Sequence, residues 1–347
     1  MKNIDFRSDT VTKPSIAMLN AMTCSPVGDD IYREDPTVIK LENMIAERAG
    51  MEDAIFAPSG TQTNLMGIIS HCERGDEYIV GQTAHTYLWE GGGAAVLGSV
   101  QPQPLDFEAD GTLCLKKVAL AIKPIDDHLV RTKLLCLENT TNGKVLPLDY
   151  FKKASTLAKE NALTFHLDGA RVFNAAVELG VELHEISQHF DSISICFSKG
   201  LGAPVGSVLC GNKEFIKRAR RWRKVLGGGM RQAGILAAAC IYALEHNVAR
   251  LKQDHENAQN LAKGLSMINE ISVVPNSLHT NMLFIETPDN YDALHVYLMQ
   301  KGIVLPKAPN KRDLIRLVTH LDISEKDIDT VVNEVKSFYG SKNRISL

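Results

Sequence analysis

The sequence predicts an α/β protein: a large domain with a mostly parallel sheet flanked by helices, then a small C-terminal α+β domain. Three observations carry this reading. Short apolar runs of strand length, such as KLLCLE (133–138) and SISIC (192–196), alternate with stretches of helical periodicity. These runs end in polar or glycine-rich turns, the side on which parallel α/β sheets hold ligands. The chain, at 347 residues, exceeds one typical domain, and from about residue 250 longer amphipathic helices take over. The expected division is an N-terminal arm (1–30), a large domain (31–250) and a small domain (251–347).

Composition narrows the class. A hydrophobic fraction of 44% with 23% charged residues is ordinary for a soluble globular protein. A formal net charge of -3 provides no general attraction to nucleic acid or an anionic membrane. The seven cysteines form no CxxC pair and lie mostly in apolar runs, which predicts free thiols in a reducing compartment. The N-terminus has no apolar signal-like region, so a cytoplasmic protein is expected.

The first thirty residues are polar and turn-rich. The acidic positions Asp29, Asp30, Glu34 and Asp35 read as solvated turns more readily than as a metal site. A helix is expected from Val38 to Ala49, ended by Gly50. A strand at Ala54–Ala57 then runs through Ser59, Gly60 and Thr61 into an apolar-faced helix. A helix N-terminus of this kind offers unpaired N–H groups and small hydroxyl residues to an anion, although plain N-capping uses the same residues. Tyr78–Val80 predicts another strand, followed by a loop carrying His85, Tyr87 and Trp89, where an aromatic could stack on a flat ring. His128, before the strand at 133–138, reads by itself as a surface histidine.

Leu163–Leu167 reads as a buried strand with Asp168 at its C-terminal edge and Arg171 just beyond. One crossover later Ile193, Ile195 and Phe197 alternate with small residues, and Lys199 stands where this strand breaks into a glycine-rich loop. Desolvation disfavours a charged lysine and leaves free amine, as a Schiff-base nucleophile needs. Basic residues gather from Lys213 to Lys224, followed by a glycine turn that could bring Lys224 and Arg231 near an anion. Beyond 250, ISVVP, NMLFIE and LIRLVTH are expected strands, and 293–301 and 324–338 expected helices. Arg316 points opposite to Ile315 and Leu317, a placement from which it could fork onto a carboxylate.

A phosphate-binding turn, an aromatic stacker, an acid at a strand end and a loop lysine together suit one cofactor, pyridoxal 5'-phosphate. Its aldehyde needs a lysine, its ring nitrogen an acid, and its phosphate a helix N-terminus.

Over nearly its whole length the sequence also resembles the low-specificity L-threonine aldolases, fold-type I pyridoxal-phosphate enzymes. FRSDTVTKPS, GDDIYREDPTV, APSGTQTN, HLDGARVFNAA, FSKGLGAPVGS and RLVTH carry the likeness. The resemblance implies a seven-stranded sheet and cleavage of L-threonine and L-allo-threonine to glycine and acetaldehyde. It implies that Lys199 binds the cofactor aldehyde, Asp168 pairs with the ring nitrogen, and His85 stacks on the ring. Ser59, Gly60 and Thr61 would hold the phosphate, and Arg171 would lie by the ring oxygen and substrate carboxylate. Ser8 and Arg316 would bind that carboxylate, and His85 and His128 would approach the substrate hydroxyl. Lys224 and Arg231 would line the site, one or both from a neighbouring subunit, in a homo-oligomer built as a dimer of dimers; Tyr32 and Trp89 are weaker implications. The base is left open among His85, His128 and water. No metal and no nucleic-acid partner is expected. A β-eliminating lyase or an aminotransferase is the competing reading within the same cofactor class, and a non-catalytic α/β binding protein the one outside it.

Overall fold

The computed structural model describes residues 3–307 and 314–342. Eleven strands are present among them. They are β1 (Ile4–Asp5), β2 (Asp53–Ala57), β3 (Glu77–Gly81), β4 (Gln101–Leu105), β5 (Thr132–Glu138) and β6 (Thr164–Asp168). The rest are β7 (Ser192–Cys196), β8 (Ser207–Gly211), β9 (Met282–Glu286), β10 (Ile303–Val304) and β11 (Leu314–Val318). Seven form one sheet in the order β2-β8-β7-β6-β5-β3-β4, the α/β architecture with a mostly parallel seven-stranded sheet that was expected. Only β8 runs against its neighbours. β7 and β8 are fully buried, as a central strand pair covered on both faces must be.

β5, β6 and β7 are parallel and adjacent, and their register sets Glu138 beside Asp168 and Asp168 beside Ser194. Acid and lysine therefore leave the sheet from neighbouring strand ends, since Lys199 follows β7 by three residues.

The helix Gly60–His71 crosses these strands; its Met66 and Ile68 are buried among apolar side chains as expected, and toward β6 and β7 it turns a second face. Residues at helical spacing meet the sheet with small or polar groups. A Cβ on Gly60 would lie 2.4 Å from Cys196 Sγ, and one on Gly67 2.8 Å from His166 Cε1. Between them Thr63 Oγ1 lies 2.7 Å from Ser194 Oγ, and Asn64 reaches Asp168. His71 Nε2 lies 2.7 Å from Ser192 Oγ. The reason is in β7 itself, whose Ser192, Ser194 and Cys196 offer small polar partners to whatever covers that face.

Of four hydrophobic clusters among the described residues, two are large. The larger lies beneath the main sheet and includes Leu41, Phe56, Phe151, Ile193 and Leu244. The smaller gathers Leu261, Leu283, Leu298, Ile303, Leu317 and Val331, and it includes Ile4 and Phe6 from the other end of the chain. β1 pairs in parallel with β10, so the N-terminal segment is woven into the C-terminal part. ISVVP is not a regular strand; it meets the free edge of β9 through an isolated bridge from Val273 to Ile285, with Val274 N donating to the Phe284 carbonyl and Glu286 N to that of Ser272. The helix ending the described chain spans Glu325–Lys342.

Charged residues that read as solvated are largely committed inside the fold. Asp35 caps the helix Pro36–Ala49 and also accepts from Gly28 N and Gly234 N. Within the basic helix Lys213–Val225, Arg220 turns inward onto Glu42 and Arg223 onto Asp30, with Arg223 also donating to the Phe56 carbonyl.

Asp9 makes the central ion pair. It is fully buried, and Arg171 grips both its oxygens, with Nε at 2.8 Å and Nη2 at 2.6 Å. Burial by itself would push the Asp9 pKa up; the Arg171 charge and its two hydrogen bonds, with Lys199 and Arg316 nearby, hold it well below the usual carboxylate range. A carboxyl depressed in this way stabilises the fold above its unfolded pKa of about 3.9, and the contribution is lost as pH falls below that value. Asp9→Asn should therefore lower stability at pH 7 by roughly 3–5 kcal/mol, since Arg171 is left buried and unpaired. Urea midpoints at pH 7 and pH 3.5 check this: the variant should lose less stability than wild type over that interval.

Candidate active site

A cleft of about 660 Å³ opens at the carboxyl ends of β5, β6 and β7. Asp168 and Lys199 line it, together with Ser8, His85, Arg171 and Arg316. These six residues come from five separate stretches of chain, so only folding brings them together.

Asp168 ends β6 and is buried. Its Oδ1 accepts from Ala170 N at 3.1 Å, and its Oδ2 accepts from Asn64 Nδ2 at 2.9 Å. Lys199 stands partly buried in the bend after β7, held at its backbone by Thr12 Oγ1 and Gly202 N. Among the described residues its ammonium makes no hydrogen bond or ion pair, so the amine is free for chemistry.

His85 opens a short helical turn, His85–Leu88. Its backbone N–H donates to Glu138 Oε2 at 2.7 Å and its Nδ1 lies 2.8 Å from Glu90 Oε1. The bond to Glu90 raises the His85 pKa; burial opposes this and Asp168 adds to it. Because Nδ1 is engaged with a carboxylate, Nε2 is the nitrogen left to meet a ligand. Glu90 and Glu138 are both pushed up by burial and by the nearby Asp168, Glu138 to about 7. Three acids thus converge at one edge of the sheet, and His85, Glu90 and Asp168 carry ligand atoms within 4.8 Å of one another.

On the opposite side Arg316, in β11, is largely buried, which lowers its pKa, as does the neighbouring Arg171. Among the described residues Arg316 has no hydrogen bond or ion pair, so its guanidinium is open to an anionic ligand. Arg171 lines the cleft and spends Nε and Nη2 on Asp9. Ser8 Oγ accepts from Thr10 N at 3.2 Å. Trp89 lies at the mouth, 70% exposed.

The remaining expected residues lie elsewhere. Ser59, Gly60 and Thr61 begin the helix Gly60–His71, and Ser59 Oγ caps it by accepting from Gln62 N. Gly60 is required first by packing, since a side chain there would strike Cys196; of the first turn's backbone N–H groups, those of Gln62 and Thr63 are taken by Ser59, which leaves those of Gly60 and Thr61 for an anion. His128 is not brought to the cleft within one chain. Its side chain is 93% exposed, and Asp126 accepts from its backbone N–H and lies 2.9 Å from its Nδ1. Lys224 and Arg231 are exposed and do not line the cleft either: the helix Lys213–Val225 ends beyond it, and Arg231 pairs with Asp29.

Sequence reasoning missed Asp9, Asn64, Glu90 and Glu138. The available signal was indirect: Asn64 follows Gly60 by one helical turn, and Glu138 closes a strand as Asp168 does. Asp9 and Glu90 sit in irregular segments where periodicity says nothing.

The set suits pyridoxal 5'-phosphate on structural grounds. It presents an unpartnered lysine amine, a buried carboxylate fixed by two donors, an imidazole held by a second acid, and a helix N-terminus close to β7.

Comparisons with known proteins agree with this. The family model for beta-eliminating lyases matches residues 5–288. The chain is 56% identical to the low specificity L-threonine aldolase of Escherichia coli K12, over 96% of this chain and 99% of that one. It is 43% identical to a probable low-specificity L-threonine aldolase 2 of Arabidopsis thaliana, with 98% of each covered. Among solved structures, the threonine aldolase of Leishmania major superposes with a TM-score of 0.83 at 23% identity, covering 96% of this chain and 99% of that one. With its fold, its cleft and these relatives in agreement, the chain belongs to the low-specificity L-threonine aldolase family of the beta-eliminating lyases.

Proposed function

We propose that this protein is a pyridoxal-phosphate-dependent lyase that cleaves L-threonine and L-allo-threonine to glycine and acetaldehyde. The observation that carries the reading is the pairing of a free Lys199 amine with the buried, doubly hydrogen-bonded Asp168 on adjacent strands of one sheet. Identity of 56% to the Escherichia coli aldolase across almost the full chain supports the reaction.

The chemistry that pyridoxal 5'-phosphate supplies when bound is an aldehyde for the substrate amine and a ring that accepts electrons from the breaking Cα–Cβ bond. Lys199, whose amine has no partner among the described residues, would hold the cofactor through its aldehyde. Asp168 would pair with the ring nitrogen, and the N–H groups after Ser59, with Gly60 and Thr61, would receive the phosphate. His85 would cover the ring. Arg316 and Ser8 anchor the substrate carboxylate, and Arg171 borders it while its pair with Asp9 fixes the guanidinium plane. Anchoring the carboxylate would restrict the rotation of the substrate about Cα. His85 Nε2, with Nδ1 held by Glu90, takes the β-hydroxyl proton directly or through water.

Assembly belongs to the same proposal. His128, Lys224 and Arg231 lie outside the cleft of one chain, which suits sites shared between subunits of a dimer of dimers. Exposed large apolar side chains support it: Tyr32, Val96, Ile125 and Val225 are each more than 60% exposed. A cytoplasmic setting is in keeping with seven free cysteines. No helix among the described residues is long and apolar enough to cross a membrane.

The purified protein should be yellow, bleach with borohydride, and release acetaldehyde and glycine from threonine. Lys199→Ala should lose the colour and the activity together. Formation of pyruvate and ammonia instead would point to β-elimination and overturn the aldolase assignment. The pH profile of kcat/KM reports the base. With its pKa raised by Glu90, His85 should lose the proton-accepting form below a limb above the usual histidine value of about 6.5. His85→Ala should remove that limb, and His128→Ala should leave it in place.

A further inference from the structure

The cleft rests on a buried hydrogen-bond network that the mechanism above does not use. Asn64 is 2% exposed, and its Nδ2 donates to Glu90 Oε1 and to Asp168 Oδ2, both at 2.9 Å. Its Oδ1 lies 3.4 Å from His166 Nε2. His166 Nδ1 lies 2.8 Å from Ser192 Oγ, which in turn lies 2.7 Å from His71 Nε2. Chemistry fixes the direction of this chain. An amide oxygen turned toward two carboxylates would set lone pair against lone pair, so the NH₂ group must face them. Oδ1 then needs a donor, which makes His166 the Nε2–H tautomer, and its Nδ1 accepts from the Ser192 hydroxyl. Burial lowers the His166 pKa to about 4, so the ring is neutral and can play both parts. The network points from His71 toward the acids, and each bond polarises the next. Gly67 permits it, since a Cβ there would lie 2.8 Å from His166 Cε1.

We propose that Asn64 is a positioning residue: its amide, turned to Glu90 and Asp168 at once, holds Glu90 as the carboxylate that orients the His85 ring. Glu90 is nearly buried and faces a second acid, and both conditions favour taking up a proton. Hydrogen bonds from Asn64 and His85 oppose this. A protonated Glu90 would no longer favour a proton on His85 or select the tautomer that leaves Nε2 free. The other groups facing this pair are Asp168 from β6, Lys199 after β7, Glu138 and Cys136 from β5, and Tyr78 from β3. Burial pushes Tyr78 and Cys136 far up, so neither carries charge near neutral pH.

The inference rests on the aldolase reading for the reaction assayed, and acetaldehyde release by the wild-type holoenzyme checks that reading separately. The test compares holoenzymes of wild type, Asn64→Ala, Asn64→Ser, Glu90→Gln and the Asn64→Ala/Glu90→Gln pair, each confirmed folded by circular dichroism. In Glu90→Gln the acid limb of kcat/KM should move to lower pH by about 1 unit. Asn64→Ala should move it the same way by a similar amount, and the double variant no further than either single change. Cofactor affinity, measured by fluorescence titration, should also fall in Asn64→Ala by about tenfold, because Asp168 loses a donor. An unmoved limb in a folded Asn64→Ala, or shifts that add in the double variant, overturns the proposal. Should Asn64→Ala not fold, Asn64→Ser decides: its single donor should give a smaller shift in the same direction, and no shift refutes it.

Discussion

The buried pair of Asp9 and Arg171 is the constraint on which the cleft depends. Asp9 belongs to the N-terminal segment, which is itself bound to the C-terminal part through β1 and β10. Arg171 follows Asp168 by three residues, at the end of a central strand. The pair thus ties the N-terminal segment to the end of β6 at the point where the cleft's cations gather. Without Asp9, Arg171, Arg316 and Lys199 would face one another in a poorly solvated space. With it, one negative charge is buried beneath three positive ones, and an incoming carboxylate meets a site already positive but not unstable.

The other half of the cleft shows the opposite imbalance. Asp168, Glu90 and Glu138 collect at the ends of β5 and β6 and in the loop after β3, with His85 among them. Like charges in a buried place raise each other's affinity for protons, and Glu90 and Glu138 are raised accordingly. Amide donors offset the repulsion: Asn64 for two of the acids, Ala170 N for Asp168 and His85 N for Glu138. A positive wall and a negative wall facing across one cleft suit a zwitterionic amino acid, and the polar face of the helix Gly60–His71 makes the negative wall tenable.

How legible this was depended on the kind of segment. Lys199 and Asp168 could be read because each closes a buried strand, where a single polar residue after an apolar run stands out. Arg316 could be read for the same reason, against Ile315 and Leu317. The helix Gly60–His71 was legible only in part: its apolar Met66 and Ile68 are buried as expected, but the contacts of Gly60, Thr63, Asn64 and Gly67 with β6 and β7 do not show in its composition. Arg220 and Arg223 looked like part of a solvated basic face, yet their partners Glu42 and Asp30 lie almost two hundred residues away.

The sequence by itself determined the alternation of strands and helices, and with it the parallel sheet and the identity of the lysine and the acid. Those features follow from local periodicity and from the rule that a strand end faces the ligand. Only the tertiary structure decided which charges neutralise one another. Asp9 with Arg171, Asn64 with Glu90 and Asp168, and Glu138 with the His85 backbone are contacts between distant segments, fixed by packing and burial rather than by spacing. The same holds for His128, Lys224 and Arg231. Motif likeness put them near the substrate, but the folded chain holds them outside its own cleft, because a residue's reach is set by the surface on which its loop is anchored.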